Sequence, residues 1–210
     1  MSVTKRVASL LCGAVMCFAG SAQAELIQIG FTGLDLSYDG ATLRDVSANG
    51  DVLSSVSIEE NGVAVAGSPF GAGISMDLEI PGLTLEDVMV DEAVSAAGGS
   101  LLLNLPGGDF LNLSLAEVQV TYINTGFLKA TFGGTVADVV SQQLPTTMPI
   151  GSPVEVTFSA NISTTTASNG FIDSFLARGS GEISGEAIPE PASLALVALA
   201  GVAAAARRRS

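Results

Sequence analysis

The sequence predicts an all-β fold: an antiparallel β-sandwich of about ten strands, flanked by an N-terminal signal peptide and a C-terminal membrane helix. Three observations carry this. Short segments between residues 26 and 158 alternate apolar and polar side chains, the period of a half-buried strand. Clusters of Gly, Pro, Asn and Asp separate them. Many short strands joined by frequent turns are the mark of an antiparallel sandwich or barrel. A β-solenoid is the rival, but no fixed repeat period runs through the chain.

The N-terminal element comes first. Lys5 and Arg6 give a positive start, residues 7–20 are apolar, and Ala22-Gln23-Ala24 follows. A charged start, a short apolar run and a small-x-small site define a secretory signal peptide. Cleavage after Ala24 leaves Glu25 as the first mature residue. Cys12 and Cys17 leave with the signal, and the chain has no histidine. The exported domain, residues 25–187, therefore forms no disulfide and is stabilised by burial.

Strands are predicted at residues 26–31, 52–58, 74–80, 110–115, 118–123, 127–132 and 154–158. Their separators are Tyr38-Asp39-Gly40, Asn49-Gly50-Asp51, Asn61-Gly62, Pro81-Gly82, Pro106-Gly107-Gly108 and Asn169-Gly170. Asn-Gly favours a tight hairpin because both central residues tolerate positive φ. Two short stretches read as helices. Residues 86–97 follow Thr84 as a cap, and Val136, Val139, Val140 and Leu144 share one helical face before Pro145. The polar tract around Thr164-Thr165-Thr166 reads as an exposed strand or loop.

The third element, residues 188–210, has three parts in order. Pro189-Glu190-Pro191 opens it, because proline cannot donate to a ladder or continue a helix. Residues 192–206 are uncharged and rich in alanine. As a helix they reach about 22 Å, against a bilayer core of about 30 Å, a marginal span that flanking residues can extend. Arg207, Arg208 and Arg209 follow and set orientation, holding that end in the cytoplasm and the acidic domain outside.

This tail resembles the PEP-CTERM sorting signal of Gram-negative bacteria, on Pro189-Glu190-Pro191, the apolar run 192–206 and the cluster Arg207 to Arg209. The resemblance covers only the last residues and transfers no activity to the domain before it. It implies recognition by an exosortase-type membrane protease and processing at or near the Pro-Glu-Pro motif. It also implies an inner-membrane intermediate, then delivery to the cell surface or extracellular matrix. The other expected partners are the Sec translocon, signal peptidase and an exopolysaccharide.

Charge and composition exclude several functions. Residues 25–188 hold 20 acidic side chains against Arg44, Lys129 and Arg178, more acidic than the −13 of the whole chain. Nucleic acid is repelled by such a body. Without His or Cys the usual nucleophilic relays cannot be built, and zinc lacks its preferred ligands. No glycine-rich phosphate loop precedes a helix. The chain therefore reads as a protein without enzymatic activity or cofactor.

One local pattern resembles the start of an EF-hand loop: Asp35, Ser37 and Asp39, then Gly40. Position twelve is Val46 in place of the bidentate glutamate, and the flanks read as strands. A hairpin turn at Asp39-Gly40 explains the same letters. The neighbouring acids Glu59-Glu60, Glu86-Asp87 and Asp91-Glu92 point to opposite faces wherever they lie in strands. The expected role is a structural or adhesive protein of the surface or biofilm matrix. A secreted module binding carbohydrate, calcium or ice is the alternative. With no tryptophan, a sugar platform would need Tyr38, Tyr122 or a phenylalanine.

Overall fold

The computed structural model describes residues 25–47, 50–124, 126–142 and 148–187. The signal-cleavage residues Ala22 and Ala24 lie outside the described residues, as do Pro189, Glu190 and Pro191, the run 192–206, and Arg207, Arg208 and Arg209. Among the described residues no helix is long and apolar enough to cross a membrane.

Twelve strands form the described domain. They are β1 (Glu25–Tyr38), β2 (Leu43–Asp45), β3 (Asp51–Val52), β4 (Ser55–Glu60), β5 (Val63–Ala64) and β6 (Ser75–Ile80). Then come β7 (Val90–Ser95), β8 (Gly99–Asn104), β9 (Phe110–Ile123), β10 (Phe127–Val140), β11 (Pro153–Ser168) and β12 (Phe171–Ala187). A short 3₁₀ turn at Pro106–Gly108 joins β8 to β9.

The strands close into an eight-stranded antiparallel barrel in the order β1, β12, β11, β10, β9, β8, β6, β2, and back to β1. Closure comes from β12, which runs along β1 from Glu25↔Ala187 to Tyr38↔Phe175. This corrects the expected two-sheet sandwich. Here the first and last strands of the domain pair with each other, which removes the edges of the long strands and leaves only the short β3, β5 and β7 paired on one side. The other strands complete the wall. β4 pairs with the first half of β1 while β2 pairs with its end. β8 and β7 take successive halves of β9, and β3 adds to β6.

Alternation fills the interior. β1 turns Ile27, Ile29, Phe31, Leu34, Leu36 and Tyr38 inward, all buried. One interior row runs through Val56, Phe31, Gly181, Phe158, Ala130, Val120 and Ala93, each opposite the next. Large and small side chains alternate along it, as a filled barrel requires. Gly181 is the critical small member. A Cβ there would lie 2.4 Å from the Thr157 carbonyl oxygen and 2.6 Å from the Phe31 ring. At one end Phe175 stacks on Tyr38 at 5.1 Å and on Tyr122 at 6.4 Å.

The helix predicted at residues 86–97 is strand and loop; of the second, Val136, Val139 and Val140 lie in β10, and Leu144 lies outside the described residues. Residues 86–89 bend and lead into β7, where Ala93 and Ser95 are buried and Val90, Glu92 and Val94 exposed, a period of two. Val136 belongs to β10, opposite Leu113 of β9. Pairing to a neighbouring strand overrides the weak helical spacing in both places. The predicted hairpin turns stand: Asn61-Gly62 and Asn169-Gly170 each place both residues at positive φ. The threonine tract is the exposed far half of β11, paired to β12.

Candidate functional site

Burial inside the barrel leaves the outer face of the long strands as the place where polar side chains gather. Strand register aligns residues far apart in sequence into transverse rows. One row passes through Glu92, Thr121, Lys129, Ser159, Ser180, Thr32 and Ser55. The next passes through Gln119, Thr131, Thr157, Glu182, Gly30 and Ser57.

A shallow open groove of about 320 Å³ lies across these rows, lined by Lys129, Thr157, Ser159, Ser180 and Glu182 with Phe158 and Gly181. Its floor is low because serine and glycine stand where longer side chains flank it. Gln28 Nε2 donates to Glu182 Oε1 at 2.9 Å, which fixes that carboxylate on one side. Opposite stands Lys129. Among the described cations Arg44 and Arg178 are ion-paired, and Lys129 is in no ion pair. Phe127, half-buried, shares the outer face two residues before Lys129, between Ile123 and Asn161.

The Asp35, Ser37 and Asp39 pattern lies at the end of β1 and in the turn after it. Asp35 Oδ2 accepts from Arg178 Nη1 at 3.3 Å, and Asp39 Oδ2 accepts from Arg44 Nη2 at 2.9 Å. Asp39 Oδ1 also accepts the backbone N–H groups of Ala41 and Thr42, closing the turn. A cation bound there would compete with both arginines. Among the described residues no group of three or more Asp or Glu side chains converges for a metal. Of the neighbouring acids, Asp91 accepts from the backbone N–H of Glu86 at 2.8 Å and of Glu92 at 2.9 Å. Its role there is to shape the entry to β7.

Tyr38 and Tyr122 are 2% and 1% exposed, so neither offers a face to a sugar. Burial pushes the pKa of both phenols up. The Tyr38 hydroxyl donates to the Leu83 carbonyl at 3.1 Å. Phe171, 45% exposed, and the half-buried Phe110 and Phe127 are the aromatic rings that reach the surface of these strands.

Asp45 follows the EF-hand-like run in sequence, and the structure gives it a different role. It ends β2 on the inward side, and its Oδ1 accepts the Leu78 N–H at 3.0 Å, continuing the ladder by side chain. Its Oδ2 is buried without a hydrogen-bond partner. Burial, then the nearby Asp77 charge, raises its pKa above the ordinary carboxylate value. Only the register of β2 on β6 reveals this.

The domain is thus an antiparallel β-barrel with a polar groove on its longest wall. A family description, the PEP-CTERM protein-sorting motif, matches residues 187–209. That motif marks the chain for export and for exosortase-dependent sorting to the cell surface, with processing at the membrane. No curated protein and no solved structure matches the chain.

Proposed function

We propose that the barrel is a structural and adhesive protein of the cell surface or extracellular matrix, cut from its tail at or near Pro189-Glu190-Pro191. The signal peptide, removed after Ala24, brings it through the Sec translocon. Residues 192–206 then hold it in the inner membrane, with Arg207, Arg208 and Arg209 on the cytoplasmic side. The observation that carries this reading is the sorting motif at residues 187–209. Its support in the body is the closure of β1 on β12, which leaves only short strands with an unpaired edge, and a polar outer face that suits a protein persisting outside the cell without disulfides.

The body's role is non-catalytic in this reading. It rests on a chain without histidine, and on Asp35 and Asp39 turning to arginine and backbone partners in the EF-hand-like pattern. A host carrying an exosortase tests the sorting half. One epitope is placed within the exposed turn at Asn61-Gly62 and another after Arg209. The first is expected at the cell surface and the second in the membrane fraction. Both epitopes together on surface protein would refute processing.

A further inference from the structure

We infer that the groove across β10, β11 and β12 binds an acidic polysaccharide, with a uronate carboxylate at Lys129 and ring hydroxyls along Ser159, Ser180 and Glu182. This deepens the adhesive reading above and rests on it. Lys129 stands exposed on the outer face without a carboxylate partner. Its neighbours across the strands are Thr121 and Ser159, with Gln119, Ile123, Thr157 and Asn161 on the diagonals, so no carboxylate stands beside it. The two arginines took one each, and the lysine in the groove did not. Its ammonium is free to accept an anionic group.

The rest of the groove suits a sugar. Ser159 and Ser180 offer hydroxyls that both donate and accept, matching the mixed hydroxyls of a sugar ring. Glu182, already oriented by Gln28, accepts from neighbouring ring hydroxyls with the strength of a charge-assisted bond. From Lys129 on β10 to Ser180 on β12 is two strand spacings, about 10 Å. That is the reach of a disaccharide lying across the strands. The groove is open along its length, so a long chain can pass through it without a free end. Phe127, on the Lys129 side, supplies a partly exposed ring against which a sugar face can pack.

Net charge sharpens the test. The acidic body repels a polyanion at long range, while the basic ends at Lys5, Arg6 and Arg207 to Arg209 attract one, so the loss caused by Lys129→Gln is what reports the groove. The full chain in mild detergent is applied to immobilised polygalacturonate and to immobilised dextran, at about 0.15 M salt. Retention on polygalacturonate above dextran is expected. Lys129→Gln should weaken it about tenfold, and Lys129→Arg should hold it within about threefold. Phe127→Ala should weaken it about threefold.

Equal retention of Lys129→Gln and the parent chain would overturn the assignment. So would absent retention, or equal retention on dextran. Lys129→Gln is also followed in cells, where its surface delivery should match the parent. A failed column with normal delivery sinks the groove and leaves the sorting account standing. Failed delivery of the parent chain sinks the sorting account and leaves the column result intact.

Discussion

The barrel has two unlike walls. One is built from β1 and β9 to β12, strands of 14 to 17 residues that pair over almost their full length. The other is assembled from short strands of two to six residues, β2 to β8, handed on from one long strand to the next. The long wall carries the groove and places Gly181 where its neighbours bring phenylalanine. The short wall carries the buried Asp45 and most of the exposed large apolar side chains, among them Val52, Val63, Met89 and Val94. The lesson is that one wall is limited by packing and the other by how its backbone and polar groups are terminated.

Four changes test that contrast, from the largest effect to the smallest. Gly181→Val strikes the long wall where no space exists. Its Cβ alone meets the Thr157 backbone oxygen at 2.4 Å, so β11 and β12 must part. A loss of about 3 kcal/mol or more is expected by chemical denaturation, or no cooperative fold at all. Leu78→Ala strikes the short wall at a fully buried position and should cost about 2 to 4 kcal/mol in the same assay. Equal tolerance of Gly181→Val and a surface substitution would break the comparison.

Asp45→Asn tests the polar limit of the short wall. The folded chain holds the Asp45 proton more tightly than the unfolded chain does. Its favourable contribution is therefore full below the ordinary carboxylate pKa of 3.8 and is lost as pH rises through the raised folded value. At neutral pH, where the unfolded chain holds this group ionised in water, the buried and half-satisfied carboxyl is a cost. Asn keeps an oxygen for the Leu78 N–H and removes the charge. The variant should gain about 1 kcal/mol at pH 7, measured by melting. The gain should shrink as the buffer is taken down to pH 4. A gain independent of pH would show that Asp45 is not the titrating group.

The smallest effect belongs to the surface of the long wall. The Arg178–Asp35 pair is 61% and 38% exposed, so Arg178→Ala should change stability by less than about 0.5 kcal/mol. A larger loss would mean that the pair, and not the ladder beneath it, fixes β12 against β1.

Where the sequence was legible, each letter had one job. The alternation of 74–80 became β6, and Asn61-Gly62 and Asn169-Gly170 became the hairpin turns that Asn-Gly chemistry favours. The segments 110–115 and 118–123 became one strand, β9, bulged near Glu117, which sits at φ 44°. β12 was not legible. Its inward positions are Ala177, Gly179, Gly181, Ile183 and Gly185, so the apolar alternation that signals a strand is missing. Neighbouring strands fill the space at each glycine: Phe31 and Phe158 at Gly181, Ser159 and Ala160 at Gly179, Met148 and Val154 at Gly185, a fact no local window contains.

Missing β12 hid the closure of the barrel, and so a sandwich was expected in its place. It also hid the groove. Lys129 was visible as the one lysine of the body, but Ser180 and Glu182 join it only through the register of β10, β11 and β12. The tail was legible without any fold, because its three parts are adjacent in sequence and act through composition and charge.

Both walls matter to the cell only if the barrel leaves it and sheds what carried it. Intact-mass measurement of the protein recovered from the cell surface tests this most directly. A chain that begins at Glu25 and ends at or near Pro189 to Pro191, without residues 192–210, is the expected result. Surface protein whose mass includes Arg207, Arg208 and Arg209 would contradict the account.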